Sequence, residues 1–379
     1  MDKPILVLNA GSSSIKLTLF APDLRRMLTG VADGIGGASL LRLGDTRAEV
    51  AMPDHAHALD RILDALAAQG VTLDALGAVG HRVVHGGAVL TAPARITPEI
   101  RAAIAECIPL APLHNPHNLA AIDAVGDRAP GVPQVAAFDT GFHASNPDLA
   151  THYALPRAMA EAGLRRYGFH GLSYAALVRT LPAATGASLP RRVLACHLGN
   201  GASLCAIEDG RSVATTMGYS PLEGLSMGTR CGSIDANLAL RLASEHGIEA
   251  TRRLLNHGAG LAGLSGVSGD MRRLEADGGP ASRFAIDHFC YWAARHAGSM
   301  VVAMGGCDAV VFTGGIGENS ATVRAGIARR LDWLGVALDP ERNAVNGPQL
   351  HARAARVAVW VIPADEEREI ARAVLALAG

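Results

Sequence analysis

Ile5-Leu6-Val7-Leu8-Asn9-Ala10-Gly11-Ser12-Ser13-Ser14-Ile15-Lys16-Leu17-Thr18-Leu19-Phe20 opens on an apolar run, passes through a Gly/Ser turn and resumes as an alternating run. Two short apolar segments around a tight polar turn predict a β-hairpin. The same plan returns near mid-chain. There Val193–His197 reads as an apolar strand, Leu198-Gly199-Asn200-Gly201-Ala202-Ser203 as the turn, and Leu204–Ile207 as the second strand. A third Gly-rich turn, Thr313-Gly314-Gly315-Ile316-Gly317-Glu318-Asn319, follows the strand-like Ala309–Phe312 and leads into a helical pattern from Ser320. A hairpin repeated about 190 residues apart implies a duplication, and so two related α/β lobes with a cleft between them.

Helical patterns fill the intervals, at Ala56–Gln69, Pro98–Glu106, Asn118–Val125, Ser173–Thr180, Ile234–Ala243, Ile248–Leu255, Ser282–Gly298 and Glu366–Leu377. Gly and Pro punctuate the chain densely, but no run is long enough for a flexible linker. Pro, Asn and Asp cluster over Phe142–Pro156, which places the lobe boundary there. The expected lobes are 1–145, rejoined by 363–379, and 146–362, because chain termini tend to lie close together.

Composition excludes several classes. The 379 residues carry 34 basic and 35 acidic side chains, a formal charge of −1, with 49% hydrophobic residues. Such a chain buries a core rather than staying disordered, and it has no basic footprint for nucleic acid. The 43 glycines show no collagen period. Six cysteines without a C-x-x-C pair argue against a disulfide framework or zinc site and for a reducing compartment. No secretory signal precedes the first strand. The least charged long stretch, Gly298–Gly317, is broken by Asp308 and is no membrane span. The expectation is a soluble cytoplasmic enzyme without membrane or nucleic-acid partners.

Two common nucleotide signatures fail. Lys16 is followed by Leu17 and Lys3 by Pro4, so there is no P-loop. Gly258-Ala259-Gly260-Leu261-Ala262-Gly263 has the dinucleotide spacing but follows a helical segment instead of a strand. The three Gly-rich turns are better phosphate candidates, since Gly lets backbone N–H groups approach oxyanions and Ser adds donors. Lys3 and Lys16 are the only lysines among the 34 basic residues. A lysine at 16 therefore suggests a place for a compact ammonium where a guanidinium fork would not fit, although a single residue also admits chance.

Other candidates stand at strand ends and in Gly-rich loops. His81-Arg82-Val83-Val84-His85-Gly86-Gly87 reads as a strand on which Arg82 and Val84 share a face. That pair could hold a carboxylate by its charge and by its methyl, while a surface ion pair is the plainer reading of the segment alone. His81 and His85 lack the carboxylate of a zinc helix. Asp139 ends the apolar Ala136–Phe138, where α/β proteins place ligand groups, although a capping Asp reads equally well. Tyr167-Gly168-Phe169-His170-Gly171 offers an accessible His170, and Met227-Gly228-Thr229-Arg230-Cys231-Gly232 offers Arg230, or a structural arginine holding carbonyls.

Together these segments resemble the acetate kinase family, within the wider superfamily of actin, sugar kinases and heat-shock chaperone ATPases. The likeness runs in order through Asn9–Lys16, Gly80–Gly87, Ala111–Pro116, Phe138–His143, Tyr167–Gly171, His197–Ser203, Pro221–Gly232, Leu264–Arg272, Phe312–Ser320 and Ile362–Glu367. The resemblance implies an α/β fold of two duplicated actin-like (ribonuclease H-like) lobes with an interlobe active-site cleft, the second lobe binding nucleotide. It implies transfer of the ATP γ-phosphoryl group to acetate, giving acetyl phosphate and ADP, with Mg²⁺ (Mn²⁺ as the alternative) and a homodimer. By position, Arg82 and Arg230 would bind the carboxylate and the moving phosphoryl group, and His170 would donate to it. Asn9, Asp139 and Glu366 would hold the metal directly or through water. Ser12, Ser14 and Lys16, with His197, Gly199, Asn200 and Gly201, would line the phosphate path. Asp270, Met271, Arg272, Gly315, Ile316 and Asn319 would cradle the adenosine. Val84, Leu113, Phe169 and Pro221 would form the pocket for the acetate methyl.

The chemistry suits such a site. A carboxylate is already ionised at neutral pH, so the obstacle is bringing an anion in line with a polyphosphate, which cations and hydrogen-bond donors relieve. The chain departs from the family pattern at Leu172, Tyr174, Ala214, Ser233, Ala236 and Asp365. The alternatives are a kinase for propionate or butyrate, and, in another class, a nucleotide-switched actin-like binding protein. The second needs a partner surface or an appended domain, and the single helix expected after Glu366 is expected to leave no room for an appended peptide-binding module.

Overall fold

The computed structural model describes residues 2–11 and 13–378, so Ser12 of the expected phosphate path lies outside the described residues. The chain divides into two compact units, one of residues 1–142 with 365–379 and one of residues 143–364.

In the first unit the strands are β1 (Ile5–Ala10), β2 (Ser14–Phe20), β3 (Arg26–Asp33), β4 (Leu40–Leu43), β5 (Thr46–Glu49), β6 (Ala78–Val83), β7 (Ala94–Arg95) and β8 (Gln134–Phe138). They form one sheet in the order β5-β4-β3-β2-β1-β6-β8-β7. All six residues of β1 are buried, as expected of a central strand covered on both faces. The hairpin closes with Ala10 opposite Ile15 and Asn9 opposite Lys16. Lys16 thus stands on the strand and not in the turn. β6 and β8 run parallel to β1, so Asn9, Arg82 and Asp139 all emerge at the same ends of adjacent strands.

Two helices show how the sequence covers this sheet. His55–Ala68 starts where the Asp54 side chain accepts from the His57 backbone N–H, and it buries Ala58, Leu59, Ile62 and Leu66 at helical spacing. The last helix, Glu366–Ala378, opens with Glu366, Glu367 and Glu369, charges that suit a helix N-terminus, and buries Ile370, Ala371 and Val374. It lies on β6 where the chain has no side chain. A Cβ at Gly80 would stand 2.7 Å from Ile370 Cγ2 and 2.9 Å from Val374 Cγ2. That close approach brings the start of the helix to Arg82, two residues along the strand.

In the second unit, β9 (Arg192–Leu198), β10 (Ala202–Glu208), β11 (Arg211–Thr215), β12 (Ala309–Thr313) and β13 (Ala358–Val361) form a sheet ordered β11-β10-β9-β12-β13. β9 to β11 are antiparallel neighbours, and β12 and β13 run parallel to β9. The first unit repeats this order in β3-β2-β1-β6-β8, the duplicated topology of an actin-like fold.

Three sequence expectations need correction. The third Gly-rich segment is not a turn: Gly314–Asn319 is a short helix straight after β12, which Gly314 enters at φ +79°. The strand carrying Arg82 ends at Val83, so Val84 lies beyond it and strand alternation does not relate the two. Helix ends are also wider than their apolar patterns. Asn115–Arg128, Gly171–Thr185 and Pro280–Ala303 each extend past the expected stretch, because helix ends are set by backbone hydrogen bonds and not by the apolar stripe.

Candidate active site

In the first unit, Arg82 is the centre of a polar cluster. Its Nε donates to Asp139 Oδ1 at 2.9 Å, its Nη2 to Asp139 Oδ2, and its Nη1 to Asn9 Oδ1 at 3.0 Å. Glu366 Oε2 lies 4.0 Å from Arg82 Nε. Asp139 is 1% exposed and its backbone N–H is held by the Val83 carbonyl, so the carboxylate is delivered by the parallel strand pair itself. Burial works against the Arg82 charge, but Asp139 and Glu366 outweigh it and hold its pKa above the ordinary value. Burial, with Asp139 and Glu367, pushes Glu366 up to about 7 against the pull of Arg82 and Lys16.

Asn9, Asp139 and Glu366 are all oxygen donors, the type Mg²⁺ requires, and it commonly binds through one or two carboxylates with water and phosphate completing its shell. Two cations, Arg82 and Lys16, face three carboxylates, Asp139, Glu366 and Glu367, so the cluster has charge to spare for a divalent ion. Among the described residues no group of three or more His, Cys, Asp or Glu forms a preassembled metal cage. Val84 is buried and its backbone N–H donates to Asn118 Oδ1 at 3.1 Å, while Asn118 Nδ2 donates to the Ala10 carbonyl at 2.9 Å. Leu113 is 45% exposed on the turn before the helix Asn115–Arg128, and Ser14 begins β2.

The second unit gathers His170, His197, Arg230 and the Gly199–Gly201 turn. Gly201 is where they meet. A Cβ built there would lie 3.3 Å from His170 Nε2 and 3.5 Å from Arg230 Nη1. His170 has φ +59° at the start of the helix Gly171–Thr185, a left-handed conformation uncommon outside glycine and a recurrent mark of functional positions. Its ring stacks on His197 with centroids 4.1 Å apart, and His197 Nδ1 lies 2.8 Å from Ser173 Oγ.

The segment before His170 is braced by buried polar groups. His143 Nε2 donates to the Phe169 carbonyl at 2.9 Å, and its Nδ1 lies 2.8 Å from Ser212 Oγ. The Gly218 carbonyl accepts from the Tyr167 and Gly168 N–H groups at 3.0 and 3.3 Å. Three residues on, the Pro221 carbonyl accepts from Arg230 Nη1 at 3.1 Å. One loop therefore holds both His170's approach and Arg230. That loop is locked by Glu223, which accepts from Tyr153 Oη at 2.5 Å and pairs with Arg166.

Gly218 has no room for a side chain, since its Cβ would lie 1.9 Å from Glu223 Oε2 and 2.4 Å from Tyr153 Oη. Gly218→Ala should break the lock, lowering stability by about 1–3 kcal/mol and kcat at least about tenfold. Thermal melting and steady-state kinetics check both; an unchanged kcat would mean the loop does not orient Arg230.

The rejected Gly258–Gly263 motif has a structural part in this site. The helix Gly260–Ser265 aims its first amides at the arginine loop: Ala259, Leu261 and Ala262 N–H donate to the Thr229, Met227 and Gly228 carbonyls at 2.8–3.0 Å. Gly260, at φ +63°, approaches so closely that a Cβ would meet the Met227 carbonyl at 2.2 Å and the Arg230 carbonyl at 2.6 Å. Its spacing comes from packing against Arg230's backbone and not from a dinucleotide.

A cavity of about 610 Å³ adjoins this cluster, lined by Gly199, Asn200, Gly269, Asp270, Met271, Arg272, Glu275, Gly315, Ile316, Asn319 and Ser320. It brings together all six residues expected to cradle adenosine, with Gly199 and Asn200 of the expected phosphate path. Gly269, Glu275 and Ser320 were missed. Gly228 links the cavity to Arg230, because its N–H donates to the Asn200 carbonyl at 3.0 Å and a Cβ there would strike Asn200 Oδ1. Ser203 and Tyr174 were also missed, although Tyr174 stands one helical turn after His170, the spacing that could have found it.

The sequence profile of the Acetokinase family matches residues 4–372. The chain belongs to that family. An acetate kinase of Nitrobacter hamburgensis is 44% identical over 387 residues, covering 98% of this chain and 96% of that protein. The crystal structure of Porphyromonas gingivalis acetate kinase superposes with a TM-score of 0.90 at 36% identity, covering 99% of both chains. A propionate kinase from Francisella tularensis gives a TM-score of 0.93 at 33% identity, over 99% of this chain and all of that one. As an acetokinase, the chain is a phosphotransferase with a carboxyl group as acceptor, and its function is that of an acetate kinase working with ATP and ADP. Among the described residues no helix of this acetokinase is long and apolar enough to cross a membrane.

Proposed function

We propose that this chain catalyses direct in-line transfer of the ATP γ-phosphoryl group to acetate, with Arg82 acting on the carboxylate and Arg230 and His170 on the phosphoryl group. The observation that carries this reading is the convergence of His170 Nε2 and Arg230 Nη1 on Gly201, one residue from the cavity wall. A glycine there leaves space for an oxyanion under two nitrogen donors, and the Gly199–Gly201 turn adjoins the adenosine cavity.

The division of labour follows from chemistry. Arg82, carried at the end of β6, neutralises the carboxylate as it approaches the polyphosphate, and Asp139 fixes the guanidinium's orientation by accepting from both Nε and Nη2 along one edge. Arg230 and His170 donate to the equatorial oxygens, where charge builds as the bond to ADP lengthens. The attacking carboxylate oxygen forms its bond to phosphorus as the bond to the ADP oxygen breaks, and no proton needs to move. Asn9, Asp139 and Glu366 would hold Mg²⁺, which when bound neutralises charge on the phosphate oxygens. Val84, Leu113, Phe169 and Pro221 are assigned to the acid's alkyl group. ADP release measured with and without acetate tests the reading, since acetate-independent turnover would favour a nucleotide switch.

The likeness to a propionate kinase makes chain length of the acid a second question. One methylene shifts discrimination by about 1–3 kcal/mol, or roughly 10–200-fold. Val84 is buried and held through Asn118, which argues for a narrow pocket and for acetate. The expected order of kcat/KM is acetate, propionate, butyrate, each step falling about tenfold or more. A propionate value above that for acetate would reverse the assignment.

A further inference from the structure

His170 has a partner chain behind it that the reaction as described does not use. Its Nδ1 lies 2.9 Å from Ser203 Oγ, and Ser203 Oγ lies 2.5 Å from Tyr174 Oη. Three elements supply the three groups. His170 precedes the helix Gly171–Thr185, Tyr174 stands one turn into it, and Ser203 lies on β10 opposite His197. Ser203 and Tyr174 are both fully buried, while His170 is only partly so. The chain therefore leads from the interior to Nε2, the nitrogen that faces Gly201 and Arg230 Nη1.

We infer that Tyr174, acting through Ser203, is a positioning residue that holds His170 as the neutral tautomer with its proton on Nε2. This deepens the reading of His170 as a donor to the moving phosphoryl group and rests on it. The direction of the chain follows from acidity. A phenol is a stronger hydrogen-bond donor than an alkyl hydroxyl, so Tyr174 donates to Ser203 and Ser203 passes its own proton toward Nδ1. Burial drives the Tyr174 phenol well above its ordinary pKa, so it keeps that proton throughout the working range. A nitrogen that accepts from Ser203 cannot carry hydrogen, which leaves Nε2 as the N–H.

The surroundings favour the same state. Protonating Nδ1 would make it a donor to Ser203 Oγ and force the Ser203 proton away from the ring. It would also add charge beside Arg230 and a second imidazole, His197, stacked 4.1 Å away. His143 stands edge-on to the Tyr174 ring at 5.6 Å, and burial pushes its pKa down to about 4, so it is neutral as well. Cys196 and Cys205 lie beside the phenol and are held as thiols by burial. The consequence is a donor that is always armed: His170 gives a hydrogen bond to the phosphoryl oxygen without first taking up a proton, and no proton is transferred in the step.

The test uses full-length protein labelled with ¹⁵N at histidine, in which long-range ¹H–¹⁵N spectra separate the two neutral tautomers from imidazolium. His170 is assigned by its loss in His170→Gln. In the wild type, His170 should show the Nε2–H pattern from pH 6 to 8. Tyr174→Phe, which keeps the ring, and Ser203→Ala should each give mixed tautomers and imidazolium appearing at higher pH. In both variants kcat should fall about tenfold, with KM for ATP and for acetate changed less than about twofold. An Nδ1–H wild type, or a Tyr174→Phe spectrum identical to wild type, overturns the inference. Altered tautomers with unchanged kcat would uphold the relay and instead remove His170 from the catalytic reading.

Discussion

Arg230→Ala should lower kcat for acetyl phosphate formation by roughly 10³–10⁵-fold, the range that a single arginine supplies to phosphoryl transfer, while the protein stays folded. Its Nη1 donates to the Pro221 carbonyl and touches Met227 Sδ, neutral partners whose loss removes only about 1 kcal/mol each. Arg82→Ala should cut kcat by a similar factor but should also destabilise the fold. It would leave the Asp139 carboxylate, 1% exposed, without its guanidinium, at about 3–5 kcal/mol. Arg82→Lys separates the two effects: charge is restored, so stability partly recovers, while the bidentate grip on Asp139 is lost and kcat stays low. Steady-state kinetics and urea unfolding on the three variants check this, and near-normal turnover in either alanine variant would remove that arginine from the site.

Acid should unfold the protein early. His81, His85 and His143 are each no more than 2% exposed, and burial pushes each of them down to about 4 from 6.5, with the Gln134 and Phe169 hydrogen bonds opposing only in part at His81 and His143. For a base with a depressed folded pKa, the unfolded chain takes up the protons first. The stability from these imidazoles is complete above pH 6.5 and is lost as pH falls toward 4, at roughly 1.4 kcal/mol per pH unit for each. Glu366 works the other way: its raised carboxyl is relieved as pH falls below about 7, which offsets about one histidine. The net loss of about 7 kcal/mol by pH 4 is comparable to the whole stability of many domains. Urea midpoints should hold steady at pH 7 and drop steeply below 6.5. A midpoint unchanged down to pH 4.5 would contradict the buried neutral state of these rings.

The duplicated plan was legible because each half begins with a hairpin whose period-2 pattern and Gly turn are local signals. Arg82, Asp139, His170 and Arg230 could be named from strand ends and Gly-rich loops, but each alone had a plainer structural reading, and only the ordered run of segments favoured a site. Their partners could not. Glu223 and Tyr153 carry no pattern of their own, and neither does Ser203; each matters through a neighbour 29 to 70 residues away in sequence. The Gly258–Gly263 spacing shows the converse, a familiar pattern whose cause is helix packing against the arginine loop. The glycine-rich composition of Gly314–Asn319 reads as a turn, whereas the strand before it and the buried Arg324, which donates to the Gly317 and Glu318 carbonyls, make a helix of it.

What the chain determined by itself is the strand and hairpin grammar, the doubling of that grammar and the kinds of side chain offered at the strand ends, because these depend on neighbours within a few residues. Only the tertiary structure decided that Arg82 is gripped by Asp139 and Asn9, that Gly80 lets the last helix bring Glu366 to it, and that Tyr174 reaches His170 through Ser203. Those are contacts between segments distant in sequence, and their geometry is set by strand register and by where glycine removes a side chain, which no local pattern encodes.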